Sequence, residues 1–175
     1  MKRLPMYLSI AAAVILAGCS SSKTGTTPST ATTGTPAATA SQCLTTALAA
    51  SLGQENGTAG TVYYPLNLRN TGSSPCTIQG YAGVSFVAGA DNHRVGKAAE
   101  QDPGSTATVT LSPGQMATAT LGIVNAGNFG CETTPVSGLQ VSPPGQTASL
   151  VIAHADTACT DPSFSTLHVG PFASA

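Results

Sequence analysis

The sequence predicts an all-β domain, an antiparallel sandwich of short strands stapled by two disulfides. Three observations predict it. Apolar and polar residues alternate over several stretches between residues 61 and 169, which is the period of strands that bury one face. Clusters of Gly, Pro, Asn and Asp separate those stretches at a spacing of roughly ten residues, as in sandwiches. No segment carries an apolar stripe at helical spacing.

The strand evidence is strongest in Thr61-Val62-Tyr63-Tyr64-Pro65-Leu66-Asn67-Leu68-Arg69, where Val62, Tyr64, Leu66 and Leu68 share one face and Tyr63, Asn67 and Arg69 the other. Proline cannot donate to a ladder, so Pro65 predicts an edge strand or a bulge. The same alternation turns Val84 and Phe86 inward, then Ala107, Val109 and Leu111, then Ala117, Ala119, Leu121 and Ile123. Thr106, Thr108, Thr110, Thr118 and Thr120 take the outer face, as suits solvated strands. Further strands are expected at Leu139 to Val141, Thr147 to Ile152 and Thr166 to Val169.

Turn signals stand at Asn70-Thr71-Gly72, Gly89-Ala90-Asp91-Asn92, Ser112-Pro113-Gly114 and Pro143-Pro144-Gly145. The second pair is echoed around its flanks: Leu111-Ser112-Pro113-Gly114-Gln115 and Val141-Ser142-Pro143-Pro144-Gly145-Gln146 share an apolar-Ser-Pro-Gly-Gln pattern. Both are expected to be strand-turn-strand corners, since proline sets its own φ and glycine permits a positive one. The chain has no Trp, which excludes the buried Trp against a disulfide that marks antibody domains. The architecture is therefore immunoglobulin-like at most.

The N-terminus carries a different message. Lys2 and Arg3 precede an apolar run from Met6 to Leu16, followed by Ala17-Gly18-Cys19. That run is too short for a helix to cross about 30 Å of hydrocarbon and fits a signal peptide, residues 1–18. Leu16-Ala17-Gly18-Cys19 resembles the bacterial lipobox, which implies a diacylglyceryl thioether on Cys19, with fatty acylation such as palmitate. Two acyl chains suffice for stable anchoring. Residues 19–42 then form a Ser, Thr, Ala, Gly and Pro tract with Lys23 its only charge. Such a segment cannot bury enough surface to offset the entropy of ordering, so it is expected to be a disordered tether. Its mean reach as a flexible coil is about 25 Å. Dense Thr with Pro also resembles O-glycosylated stalks.

Residues 43–172 are the size of one domain with a single core. Removal of the signal takes Lys2 and Arg3 with it, leaving Lys23, Arg69, Arg94 and Lys97 against seven acidic residues. A mildly acidic chain without a basic cluster argues against nucleic-acid binding, which needs Lys and Arg on phosphates. With Cys19 assigned to lipid, Cys43, Cys76, Cys131 and Cys159 remain, an even number in an exported chain. No Cys-x-x-Cys spacing is present, which argues against a thiol redox motif or a zinc site. Three connectivities are possible. Pairing neighbours, Cys43 with Cys76 and Cys131 with Cys159, is favoured because it closes two loops of similar length in a meandering β-chain. Each such loop stabilises by about 3 to 4 kcal/mol in the chain-entropy model.

Residues able to do chemistry are few. Gly83-Val84-Ser85-Phe86-Val87 lacks the second glycine of a nucleophile elbow, and Ser85 reads as an outward strand residue. His93 falls in the Asp91-Asn92-His93-Arg94 turn, His154 beside Asp156 after a strand, and His168 on an outward strand position. Three or four converging ligands are needed for a metal, so no metal and no cofactor is expected. Met116 is the only methionine after the signal peptide, which argues against copper carriage. Glu100 and Asp102 are expected to be solvated in a Pro-Gly loop. Tyr63, Tyr81 and Phe129 could serve a sugar-binding surface if exposed.

The stretch Asn70-Thr71-Gly72-Ser73-Ser74-Pro75-Cys76-Thr77-Ile78-Gln79-Gly80-Tyr81-Ala82-Gly83-Val84-Ser85-Phe86, with the corners at 111–114 and 143–145, resembles the actinobacterial secreted lipoproteins of domain of unknown function 4232. The resemblance covers nearly all of 43–172, and Cys76-Thr77-Ile78-Gln79-Gly80-Tyr81 is its most specific part. It implies an exported immunoglobulin-like sandwich with paired cysteines and no catalytic residues. High Ala, Gly and Thr with little Lys agrees with a GC-rich actinobacterial source. The expectation is thus a non-enzymatic, monomeric lipoprotein, anchored on the outer face of the cell membrane, binding an envelope protein or glycan or serving a structural role. The competing expectation is a small-ligand carrier or hydrolase accessory with a site built from loops 89–104 and 125–137.

Overall fold

The computed structural model describes residues 40–58 and 60–175. The predicted signal peptide, Cys19 and all but the last three residues of the 19–42 tether lie outside the described residues. In chain order the strands are β1 (Leu48–Leu52), β2 (Asn56–Thr58), β3 (Thr61–Asn70), β4 (Cys76–Ile78), β5 (Gly83–Ala88), β6 (His93–Val95) and β7 (Glu100–Gln101). They continue as β8 (Val109–Leu111), β9 (Met116–Val124), β10 (Thr133–Ser142), β11 (Leu150–Cys159), β12 (Leu167–Val169) and β13 (Ala173–Ser174). Two short 3-10 turns, Thr45–Ala47 and Ala126–Phe129, are the only helical elements among the described residues.

The larger sheet runs β1-β3-β9-β12-β7, with β2 added beside β3 and β13 beside β9. The second sheet runs β11-β10-β5-β6, and β4 and β8 form a separate ribbon. The alternation of β3 and β9 is what builds the core between them. Leu66, Leu68, Ala117, Ala119, Leu121 and Ile123 are buried on the inner face of the larger sheet. They share one apolar cluster with Val84, Phe86, Leu139 and Val141 of the second sheet and with Ile78 and Leu111 of the ribbon. Phe172 closes that cluster near the C-terminus, where its backbone N–H donates to Gly80 O at 2.9 Å. Full burial of each such side chain contributes about 1.5 to 3 kcal/mol.

Both echoed corners are turns. Gln115 N–H donates to Ser112 O at 2.9 Å and Gln146 N–H to Pro143 O at 3.0 Å, with Gly114 and Gly145 at φ of 84° and 68°. The first corner carries the chain from the ribbon into the larger sheet, and the second joins β10 to β11 within the second sheet. Contacts of the domain reach back to Ser41, whose carbonyl accepts from Thr77 N–H at 2.8 Å, and to Gln42, whose amide donates to Pro144 O at 2.7 Å.

Several expectations are corrected. β3 is an interior strand, flanked by β9 on one side and by β1 and β2 on the other. Pro65 is tolerated there because β1 pairs only as far as Leu66 and β2 only as far as Tyr63. Its missing N–H points into the gap between them, beside its own carbonyl, which accepts from Gly53 N–H at 2.7 Å. Ala107 is exposed, since β8 begins only at Val109 and the preceding segment has no strand partner. Ser85 stands on the outer face but is 7% exposed. One pairing is parallel, β7 with β12. The strand expected at 147–152 lies at Leu150–Cys159, so His154 belongs to a strand and not to the loop after one.

Candidate functional site

Both disulfides have the neighbour pairing. Cys43 and Cys76 are joined with Cα atoms 4.8 Å apart, tying the entry of the domain to the ribbon. Cys131 and Cys159 are joined at 5.7 Å, clasping the start of β10 to the end of β11. These bridges hold the scaffold and leave the search for a site to the surfaces between them.

One row of residues crosses the outer face of the larger sheet. Asn56 of β2 stands opposite Tyr63 of β3, Tyr63 opposite Gly122 of β9, Gly122 opposite His168 of β12, and His168 opposite Glu100 of β7. Directly opposed residues share a face, so these side chains line up on the solvent side. Tyr63 remains 40% exposed. Gly122 explains its position: a Cβ there would come within 3.1 Å of Tyr63 Cε1, so the ring rests against bare backbone. Glycine inside a strand often marks such an approach.

A shallow groove opens on either side of that ring. One, about 160 Å³, is lined by Asn56, Tyr64, Pro65, Thr118 and Thr120 as well as Tyr63. The other, about 250 Å³, is lined by Thr61, Asp102, Gly122, Val124 and His168 as well as Tyr63. His168 Nδ1 lies 3.5 Å from Asp102 Oδ1, and Lys97 Nζ donates to Glu100 Oε1 at 2.9 Å. The Lys97 hydrogen bond and charge, with a smaller contribution from His168, hold the Glu100 carboxyl below the usual carboxylate range. Both carboxylates are solvated as expected, at 49% and 47% exposure, but Glu100 sits in β7 in an ion pair and Asp102 faces a histidine.

The remaining candidates part company. Tyr81 is tied down, its hydroxyl donating to Asp102 O at 2.9 Å. Phe129 is exposed but stacks on Phe164 with centroids 5.1 Å apart. His93 pairs with Asp91 at 2.9 Å in the exposed β5–β6 turn, and that hydrogen bond lowers the Asp91 carboxyl. His154 lies 3.5 Å from Asp156, far from His168 in the fold's layering because it belongs to the other sheet. The histidines thus do not converge, and among the described residues no three His, Cys, Asp or Glu side chains approach a common point suited to a metal. Loops 89–104 and 125–137 meet in an open groove of about 270 Å³, lined by residues 93–96, Thr134 and Thr160. A cavity of about 470 Å³ takes residues 125–127 and 133 without any from 89–104.

Sequence reasoning placed Tyr63 and His168 outward but did not put them side by side, because that requires the β3-β9-β12 order. Gly122 was missed although a glycine interrupting the Thr-rich strand 116–124 was its signal. Asn70 was read only as a turn residue. It is fully buried, donates from its amide to Ser74 O and Leu111 O at 2.9 Å each, and accepts from Gly72 N–H at 2.9 Å.

No curated protein sequence and no solved structure matches this chain. A family model does: that of the domain of unknown function DUF4232 matches residues 43–173, three quarters of the sequence and all of the disulfide-bonded sandwich, and the chain belongs to that family.

Proposed function

We propose that this chain is an exported lipoprotein of the cell envelope, held on the outer face of the membrane by lipid on Cys19, whose sandwich is a non-catalytic module that binds an envelope glycan. The observation that carries this reading is the Tyr63 row. An exposed aromatic ring between two grooves offers apolar faces to the C–H side of a sugar. Around it, carboxylates of Glu100 and Asp102 accept hydroxyl protons, and Asn56, His168, Thr118 and Thr120 donate or accept. Tyrosine is suited to such a wet boundary because it is apolar in body and polar at the tip.

The membrane address is supported by the sequence Leu16-Ala17-Gly18-Cys19 and by the apolar run before it. Disulfides in the domain agree with an oxidising compartment. A shallow, one-ring site would hold a single sugar weakly and gain strength from repeated units of a polymer near the membrane.

The test is co-sedimentation of the full chain with insoluble, protein-free cell-wall glycan, compared with Tyr63→Ala. Retention of the wild type with at least a fivefold loss in the variant supports the reading. Equal sedimentation of both, or of neither, counts against it.

A further inference from the structure

A further cavity opens at the mouth between the two sheets. It measures about 470 Å³ and is lined by Gly60, the start of β3 (Thr61, Val62), Ile123 of β9, the turn Asn125–Gly127, and Thr133, Asp156 and Thr157 of the second sheet. That volume falls within the range of small-molecule sites, about 300 to 1,000 Å³. Its walls are apolar at Val62, Ile123 and Ala126 and hydroxyl-bearing at Thr61, Thr133 and Thr157. Asp156 is its only ionisable lining residue.

What stands behind Asp156 decides the reading. His154, two residues along β11 on the same inner face, brings Nε2 to 3.5 Å from Asp156 Oδ2. That nitrogen is buried and has no hydrogen-bond partner. Buried polar groups are nearly always paired, and an orphan of this kind needs an explanation. The imidazole is held from the side by Tyr64, whose ring meets it edge-on with centroids 5.3 Å apart. Tyr64 in turn donates to Glu55 Oε2 at 2.8 Å. Glu55, Tyr64 and Asp156 are the ionisable groups facing His154. The other elements packed on β11, namely β1, β10 and the 126–129 turn, carry none.

The one ionisable group on the wall of the mouth is thus an acid. The basic side chains of the domain are engaged or placed elsewhere: Lys97 on Glu100, Arg69 on Gly114 O, and Arg94 in β6. Burial, then the hydrogen bond and charge of Glu55, and last the charge of Asp156, push the Tyr64 hydroxyl up to about 12.

We propose that the inter-sheet mouth is a binding site for a small organic ammonium ligand, with Asp156 as its counter-ion, Val62, Ile123 and Ala126 against its apolar stem, and the buried His154 imidazole behind that carboxylate. A single carboxylate suits one ammonium group and falls short of the six to eight oxygens a calcium ion takes. This inference is independent of the Tyr63 row, and either can fail without the other.

The test is a set of NMR titrations of the full chain with n-butylammonium, the neutral isostere n-butanol, n-butyrate and calcium. Butylammonium is expected to shift the amides of Val62, Ile123, Gly127 and Thr157 saturably, with butanol and butyrate at least tenfold weaker. Asp156→Asn, at a side chain 36% exposed and so tolerant of change, is expected to weaken the ammonium about tenfold. Equal binding of butanol, tighter binding of calcium at the same amides, shifts mapping elsewhere, or an unaffected Asp156→Asn would each overturn the proposal. The comparison of ligands on the wild type stands even if a variant fails to fold.

Discussion

Tyr63 and Tyr64 are neighbours in sequence and opposites in role. Strand alternation sends the first ring to solvent over Gly122 and the second inward against His154, and that much was legible from the period-two pattern. What each ring meets was not legible, because Gly122, Glu55 and His154 come from other strands or loops. Asn70 shows the same limit: its turn chemistry was readable, but its bond to Leu111 O spans 41 residues. The environment of Tyr64 has a measurable consequence. Desolvation, then the hydrogen bond and charge of Glu55, raise its hydroxyl from 10.0 to about 12. The folded chain keeps that proton where the unfolded chain has lost it, so folding stability falls as pH rises across this interval. An alkaline absorbance titration should show Tyr64 ionising near 12, and Glu55→Gln should bring that step part of the way down toward 10.0, since burial remains. Ionisation of all tyrosines together near the ordinary value would contradict the arrangement.

At the level of elements, strands with an apolar inner face were easy to find and strands with a polar one were not. On β3 and β9 the expected inner residues Leu66, Leu68, Ala117, Ala119, Leu121 and Ile123 are buried, while Val62 and Tyr64 are half-buried. β11 was placed short because His154 and Asp156 occupy inner positions while Val151, Ala153 and Ala155 point outward, which reverses the usual contrast. Pro65 misled in the other direction, since a proline is compatible with an interior strand where the neighbouring strand changes. The neighbour pairing of cysteines was readable because each pair brackets a local unit, the ribbon in one case and β10–β11 in the other. Replacing Cys131 and Cys159 together by alanine should lower unfolding free energy by about 3 to 4 kcal/mol. Denaturant unfolding monitored with and without the bridge measures it, and a loss below 1 kcal/mol would show that the hairpin holds without its clasp.

For the whole molecule, fold class followed from strand and turn signals, whereas topology did not. The order β1-β3-β9-β12-β7 and the parallel β7–β12 pair depend on contacts far apart in sequence, and local patterns carry no information on them. The site followed the same division: Tyr63, His168, Glu100 and Asp102 could be named, but Asn56 and Gly122 could not, and the assembly waited on strand order. The proposed address makes a separate prediction. Cys19→Ser should move the chain from the membrane fraction to the soluble fraction or leave the leader uncleaved, and unchanged membrane retention with normal processing would rule out lipidation. The binding role is tested most directly by titrating solubilised cell-wall glycan fragments into isotope-labelled full chain. Amide shifts should gather on Asn56, Tyr63, Gly122 and His168 and vanish in Tyr63→Ala. Shifts scattered over the second sheet, or none at fragment concentrations that saturate a weak site, would contradict a glycan-binding face.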